Sequence, residues 1–183
     1  EQHDAVRDVF VVPSACFLVR ADLFRVLGGF DPSISFHGDD VDLCWRAHLT
    51  GARVLVAPDA VVRHREQLRE RRPDLAHRTL EARHRMRTVA TLTGASRLAG
   101  RSLQLVLLTL AELVVGLFTG RFGDALASLR GLVGLIPRTP QILTRRRQVR
   151  GQRAVPEREI LGLQNRGSAR LSKFLRGRET ATF

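Results

Sequence analysis

The chain has 183 residues, room for one domain of ordinary size or a small domain with appendages. Apolar residues make up 44% of it, enough for a core, which excludes a chain disordered throughout. The net charge of +12 is uneven: residues 1–60 carry 5 Arg against 9 acids, and the rest carry 25 basic groups against 9 acids. An acidic, apolar front joined to a basic rear argues against a uniform nucleic-acid coat and for a site-bearing part beside an anchoring part.

Residues 9–19 form an apolar, β-branched run broken by Pro13 and Ser14, which predicts a buried strand with a bend. Residues 20–27 predict a short helix stopped by Gly28 and Gly29. After a loop opened by Asp31 and Pro32, residues 38–50 predict a helix with Val41, Cys44, Trp45 and Leu49 on one stripe and Gly51 as its stop. Its first turn holds Asp39, Asp40 and Asp42, where the helix dipole favours negative charge. Residues 53–57 predict a second strand, and residues 60–63 a short extended piece ending at His64. A charged stretch, 65–87, follows, restarted as a helix by Pro73 and Asp74 and running toward Thr93. Residues 102–118 contain no basic group and one acid, Glu112. A glycine-rich turn leads to a second apolar helix over 125–136. From Pro137 onward, 11 Arg and Lys173 face 3 acids.

Lys173 is the one lysine among 30 basic residues, a skew that resembles a coding bias and lowers the weight of arginine counts. Cys16 and Cys44 are too few for a disulfide framework or a four-ligand zinc site, so a reduced compartment is expected. The chain starts at Glu1 without a charged-then-apolar leader and enters a strand-like run within ten residues. A fragment whose beginning lies elsewhere is the expectation.

The densest polar constellation is His37, Asp39, Asp40, Asp42, Trp45 and Arg46. Three carboxylates within four residues repel one another unless a cation, a hydrogen bond or a catalytic role compensates. One reading is helix capping by Asp39 or Asp40 with an i, i+4 pair between Asp42 and Arg46. Capping needs only one acid, which leaves a catalytic reading open.

The segment from Val11 to Glu66, with Gly28-Gly29-Phe30-Asp31, Asp39-Asp40-Val41-Asp42-Leu43, Arg46, Pro58 and His64 in step, resembles the acceptor-side half of family-2 inverting glycosyltransferases of the GT-A fold. The run RHRMRTV at 83–89 and VPEREILGLQNRGSARL at 155–171 are similar to large membrane-associated actinobacterial members. The resemblance implies an α/β architecture: the C-terminal half of a GT-A catalytic domain over 1–66, a basic helical connector over 67–101, an apolar membrane-associating hairpin over 102–136 and a basic tail over 137–183.

The resemblance makes Asp40, the second acid of the pair, the catalytic base, with Asp39 as supporting acid and Asp42 with Arg46 orienting the helix. Trp45 is either a flat face for a sugar ring or core. His37 stands where relatives have an aromatic and bears on acceptor fit. His64 is either a surface residue or a ligand completing the shell of a divalent cation, Mn²⁺ or Mg²⁺. The implied partners are a nucleotide-sugar donor, a glycan or lipid-linked acceptor and the cytoplasmic face of a membrane. The family's metal-binding DxD is expected upstream; Asp40-Val41-Asp42 spells the same pattern in the acceptor helix and is treated as a decoy.

For residues 102–136 three geometries stand: a hairpin in the membrane interface, a span, or a soluble hairpin packed on a partner. A basic flank on each side and the positive-inside tendency favour the first. A nucleic-acid module built on the Arg-rich helices, and a non-catalytic membrane scaffold, are the alternative functions. Few aromatics in the tail and an acidic front weigh against nucleic acid.

Overall fold

The computed structural model describes residues 5–65, 67–73 and 76–164. Asp74 at the expected helix restart, residues 165–171 of the later resemblance, and the remaining tail with Lys173 lie outside them. In order come β1 (Arg7–Asp8), α1 (Ala21–Val26), α2 (Asp39–Leu49), β2 (Leu55–Val56), α3 (Leu68–Arg71), α4 (His77–Leu92), α5 (Ala95–Thr119), α6 (Phe122–Val133), a 3₁₀ turn (Ile136–Arg138), α7 (Thr139–Gln152) and α8 (Glu157–Gly162).

Among the described residues the sheet is one antiparallel pair, Arg7 opposite Val56 and Asp8 opposite Leu55. The strand expected over 9–19 is not a ladder strand. Its pairing with the 53–56 segment ends at the bond from Val9 N to Val54 O (3.0 Å). Pro13 then contributes no donor, and Cys16 N turns back onto Pro13 O. From Val9 to Val11 the segment alternates as an extended chain should, with Val9 and Val11 on one apolar cluster and Phe10 on the other; Val12, before Pro13, breaks the alternation by joining Val11.

Those two clusters flank α2, which is why almost the whole helix is buried. On one side lie Leu27, Leu43, Cys44, Ala47 and Val54. On the other, Trp45 and Leu49 of α2 meet Leu92, Val149 and Ile160, drawn from α4, α7 and α8. The backbone amides of Ala154 and Val155 donate to Leu49 O, stitching the approach to α8 onto the end of α2.

The basic rear is therefore not an appendage, as its composition suggested. α4 packs against α2, α5, α6 and α7. The expected boundary between residues 101 and 102 falls inside α5, which begins at Ala95. Small residues set the spacing here. A Cβ on Gly131 would lie 2.9 Å from Ala82 Cβ and 2.9 Å from Arg83 N, so α6 approaches α4 at backbone distance. A Cβ on Gly116 would lie 2.8 Å from Ala125 Cβ, so α5 approaches α6 as closely. Arg146 and Arg153, within the rear Arg-rich stretch, cap the end of α4 by donating to Ala90 O and Leu92 O.

Candidate functional site

The site is built at the N-terminal turn of α2. His37 (φ 62°) and Gly38 (φ 102°) both take left-handed backbone, turning the chain sharply into the helix. Gly38 holds the N-cap position, and no side chain caps it. Neither Asp39 nor Asp40 is the N-cap, as the capping reading had it: both lie inside the helix, and Asp40 instead takes the free first-turn amide of Val41.

The three acids have three different surroundings. Asp40 is half-buried; its Oδ1 accepts from Val41 N (2.8 Å), and its Oδ2 faces Ser14 N (3.4 Å) across from the loop after Pro13. Asp39 makes no hydrogen bond or ion pair among the described residues. Asp42 is locked: Arg46 Nε and Nη2 donate to its Oδ2 at 2.8 and 2.5 Å, and both side chains are 1% exposed. Burial pushes the Asp42 carboxyl up, and the Arg46 charge and hydrogen bonds pull it back only in part. Arg46 Nη1 also donates to Leu27 O (2.8 Å), fastening the turn after α1 to the middle of α2. The expected Asp42–Arg46 pair is thus a buried brace that fixes where Asp40 stands.

Trp45 is 6% exposed, edge-on to Phe10 at 5.5 Å and packed with Leu49, Leu92, Val149 and Ile160. The core alternative describes it; neither ring face is open to a sugar, because α4, α7 and α8 close over this side of α2.

His37 is half-buried beside two histidines that the sequence did not single out. Its Nε2 lies 3.1 Å from His77 Nδ1, and His77 Nε2 lies 2.7 Å from Arg72 O. A carbonyl only accepts, so His77 carries its proton on Nε2 and takes one from His37 on Nδ1. His84 is fully buried; its Nδ1 donates to Phe36 O, leaving Nε2 without a partner. Burial, with Arg83 and Arg87 adding to it, holds the His84 imidazole below its ordinary range against the opposing pull of the Phe36 and His37 carbonyls. These rings secure the 36–38 turn from below. In the sequence they sit within an arginine-rich run, where a histidine reads as solvated, and only the i, i+7 spacing of His77 and His84 along one helix face hinted otherwise.

His64 is exposed, beyond β2 and outside any helix or ladder. One imidazole supplies one ligand. Among the described residues no three His, Cys, Asp or Glu side chains come together as a metal site, so they do not by themselves fit the divalent cation that the resemblance implies.

A 64-residue stretch of the chain is 47% identical to the pre-mycofactocin glycosyltransferase of Mycobacterium tuberculosis, in strains CDC 1551 / Oshkosh and ATCC 25618 / H37Rv alike. The match covers 34% of this chain and 13% of the length of each relative. About a third of the chain is thus glycosyltransferase-like in sequence. No family model matches. No solved structure matches.

Proposed function

We propose that this chain forms the acceptor-side part of an inverting glycosyltransferase of the family-2, GT-A type, with Asp40 as general base. Asp40 takes the proton from an acceptor hydroxyl as that oxygen attacks the anomeric carbon of a nucleotide sugar. The nucleoside diphosphate leaves from the opposite face, so the configuration inverts. The observation that carries the reading is the setting of Asp40: a half-buried carboxylate at a helix start, held by backbone amides and not neutralised by an arginine. Such a group can be reached by an acceptor and can take a proton, whereas Asp42 is 1% exposed and ion-paired with Arg46. The likeness of 64 residues to a glycosyltransferase supports the same reading. Asp39 adds negative charge beside the base, and His37 borders the acceptor side.

The acceptor is a glycan or a lipid-linked saccharide presented at the cytoplasmic face of a membrane. Support for the membrane comes from α5, 25 residues long with a mean hydropathy of 1.9 over its most apolar stretch, 11% of which is buried. Leu103, Leu107, Leu110, Val114 and Leu117 recur at helical spacing along its exposed face, joined by Phe122 and Leu126 of α6.

The test of the reaction class is the product. The full-length protein, given an α-linked nucleotide sugar and acceptor, should make the β-glycoside by proton NMR. An α-glycoside would contradict single displacement with Asp40 as base.

A further inference from the structure

Arg72, with His77 and His84 of α4, holds the turn that leads into α2 at three points. The Arg72 guanidinium carbon lies over the Phe36 ring, 5.8 Å from its centroid. His84 Nδ1 donates to Phe36 O and lies 3.3 Å from His37 O. His77 meets the His37 ring edge-on, with centroids 5.4 Å apart and His37 Nε2 3.1 Å from His77 Nδ1. This third contact grips the side chain of the residue whose left-handed φ of 62° makes the turn. Such backbone in a residue other than glycine persists where the surroundings over-determine it. Gly38 follows, and its carbonyl accepts from Asp42 N at 3.0 Å, the first hydrogen bond of α2. Asp40 stands inside that first bonded turn.

The histidine pair is directional. Arg72 O accepts from His77 Nε2, 2.7 Å away, so the neutral His77 ring carries its proton there. Its Nδ1 is left as an acceptor, and His37 supplies a proton to it from Nε2. One nitrogen of His77 therefore serves the Arg72 segment, and the other serves the turn. His77 is 8% exposed, so water does not readily stand in for either partner.

We propose that His77 is a positioning residue for the transfer assigned to Asp40. Its Nδ1 holds the His37 ring, and the held ring keeps the turn at residues 37 and 38 left-handed. The turn so fixed sets where the first turn of α2 stands, and with it the Asp40 carboxylate. The inference rests on Asp40 as the base. It adds that the base is placed from two directions: Arg46, bound to Leu27 O, fixes the middle of α2, and His77 fixes its start. His77 touches no reacting atom in this scheme, so its effect passes through His37.

Isosteres separate the two nitrogens. In the full-length protein, His77→Asn keeps an acceptor where Nδ1 stood, and His77→Gln keeps a donor where Nε2 stood. The readouts are the ring-nitrogen signals of His37 by 15N NMR and hydrogen exchange at Val41 N, which donates to Asp40 Oδ1. His77→Gln should let His37 sample both tautomers and speed Val41 exchange about two- to tenfold, the worth of one hydrogen bond. His77→Asn should leave both readouts as in the wild type. Should His77→Gln disturb folding, His37→Leu, which removes the other partner, should speed Val41 exchange by a similar factor. In that background His77→Gln should add less than about twofold, because its effect has no other route. A purely structural role, anchoring Arg72, gives the reverse order, with His77→Asn disturbing the readouts and His77→Gln sparing them. That order, equal effects of the two isosteres, or unchanged exchange in His37→Leu overturns the proposal. None of these readouts needs a substrate, so they separate from the base assignment. If they fail while Asp40→Asn abolishes transfer, the role of His77 falls; if they hold while Asp40→Asn transfers normally, the base falls.

Discussion

Single residues here differ less in type than in what surrounds them. Asp39, Asp40 and Asp42 are one carboxylate repeated three times, yet only Asp42 is buried against an arginine and only Asp40 is held by two backbone amides. The pairing of Asp42 with Arg46 was legible from their i, i+4 spacing; its burial was not, because that depends on elements distant in the sequence that pack against α2. His84 was illegible for the same reason. Its depressed pKa has a measurable consequence. The unfolded chain binds a proton near pH 6.5 and the folded chain does not until lower pH, so this residue's contribution is complete above pH 6.5 and is lost as pH falls through the folded pKa. Stability measured by denaturant should therefore fall between pH 7 and pH 5, and His84→Gln, less stable at pH 7, should show a flatter profile. An unchanged slope would show that His84 is not the buried neutral group described here.

Among the elements, α1, α2 and α6 lay in the sequence with boundaries within three residues, since glycine stops and apolar stripes act locally, whereas α5 starts at Ala95, ahead of the apolar run expected from residue 102. The strand over 9–19 did not form as expected, because strand pairing needs a partner and Pro13 interrupts the one available. What periodicity could not give is how closely helices approach. Gly131 has a measurable role on this point. A methyl at this position meets α4 backbone at 2.9 Å, so Gly131→Ala should lose about 1–3 kcal/mol to overpacking, exceeding its gain in helix propensity. Gly100, in α5 with nothing within 4 Å of an added Cβ, is the contrast: Gly100→Ala should gain up to about 1 kcal/mol. Equal effects in urea melts would mean that α6 does not pack on α4 at backbone distance.

At the scale of the whole molecule, the acidic front and basic rear of the sequence are joined by ion pairs and by shared apolar packing around α2. Composition suggested two parts because it counts charges without their partners: Asp31 belongs to the front, Arg87 and Arg145 to the rear, and they meet. The exposed face of α5 and α6 remains the feature that composition read most directly. Full chain should bind anionic vesicles, with binding weakened but not abolished at high salt, because buried leucine area is not screened. Leu107→Asp with Leu110→Asp should remove the salt-resistant part; full retention would count against this face as the contact.

We propose that Asp40, and not Asp39, receives the acceptor proton. Single-turnover rates of the full-length protein with saturating nucleotide sugar and acceptor test it most directly. Asp40→Asn is expected to slow the transfer step by about 10²–10⁴-fold with donor affinity and folding unchanged, and Asp39→Asn by far less. Near-normal transfer by Asp40→Asn would show that Asp40 is not the base.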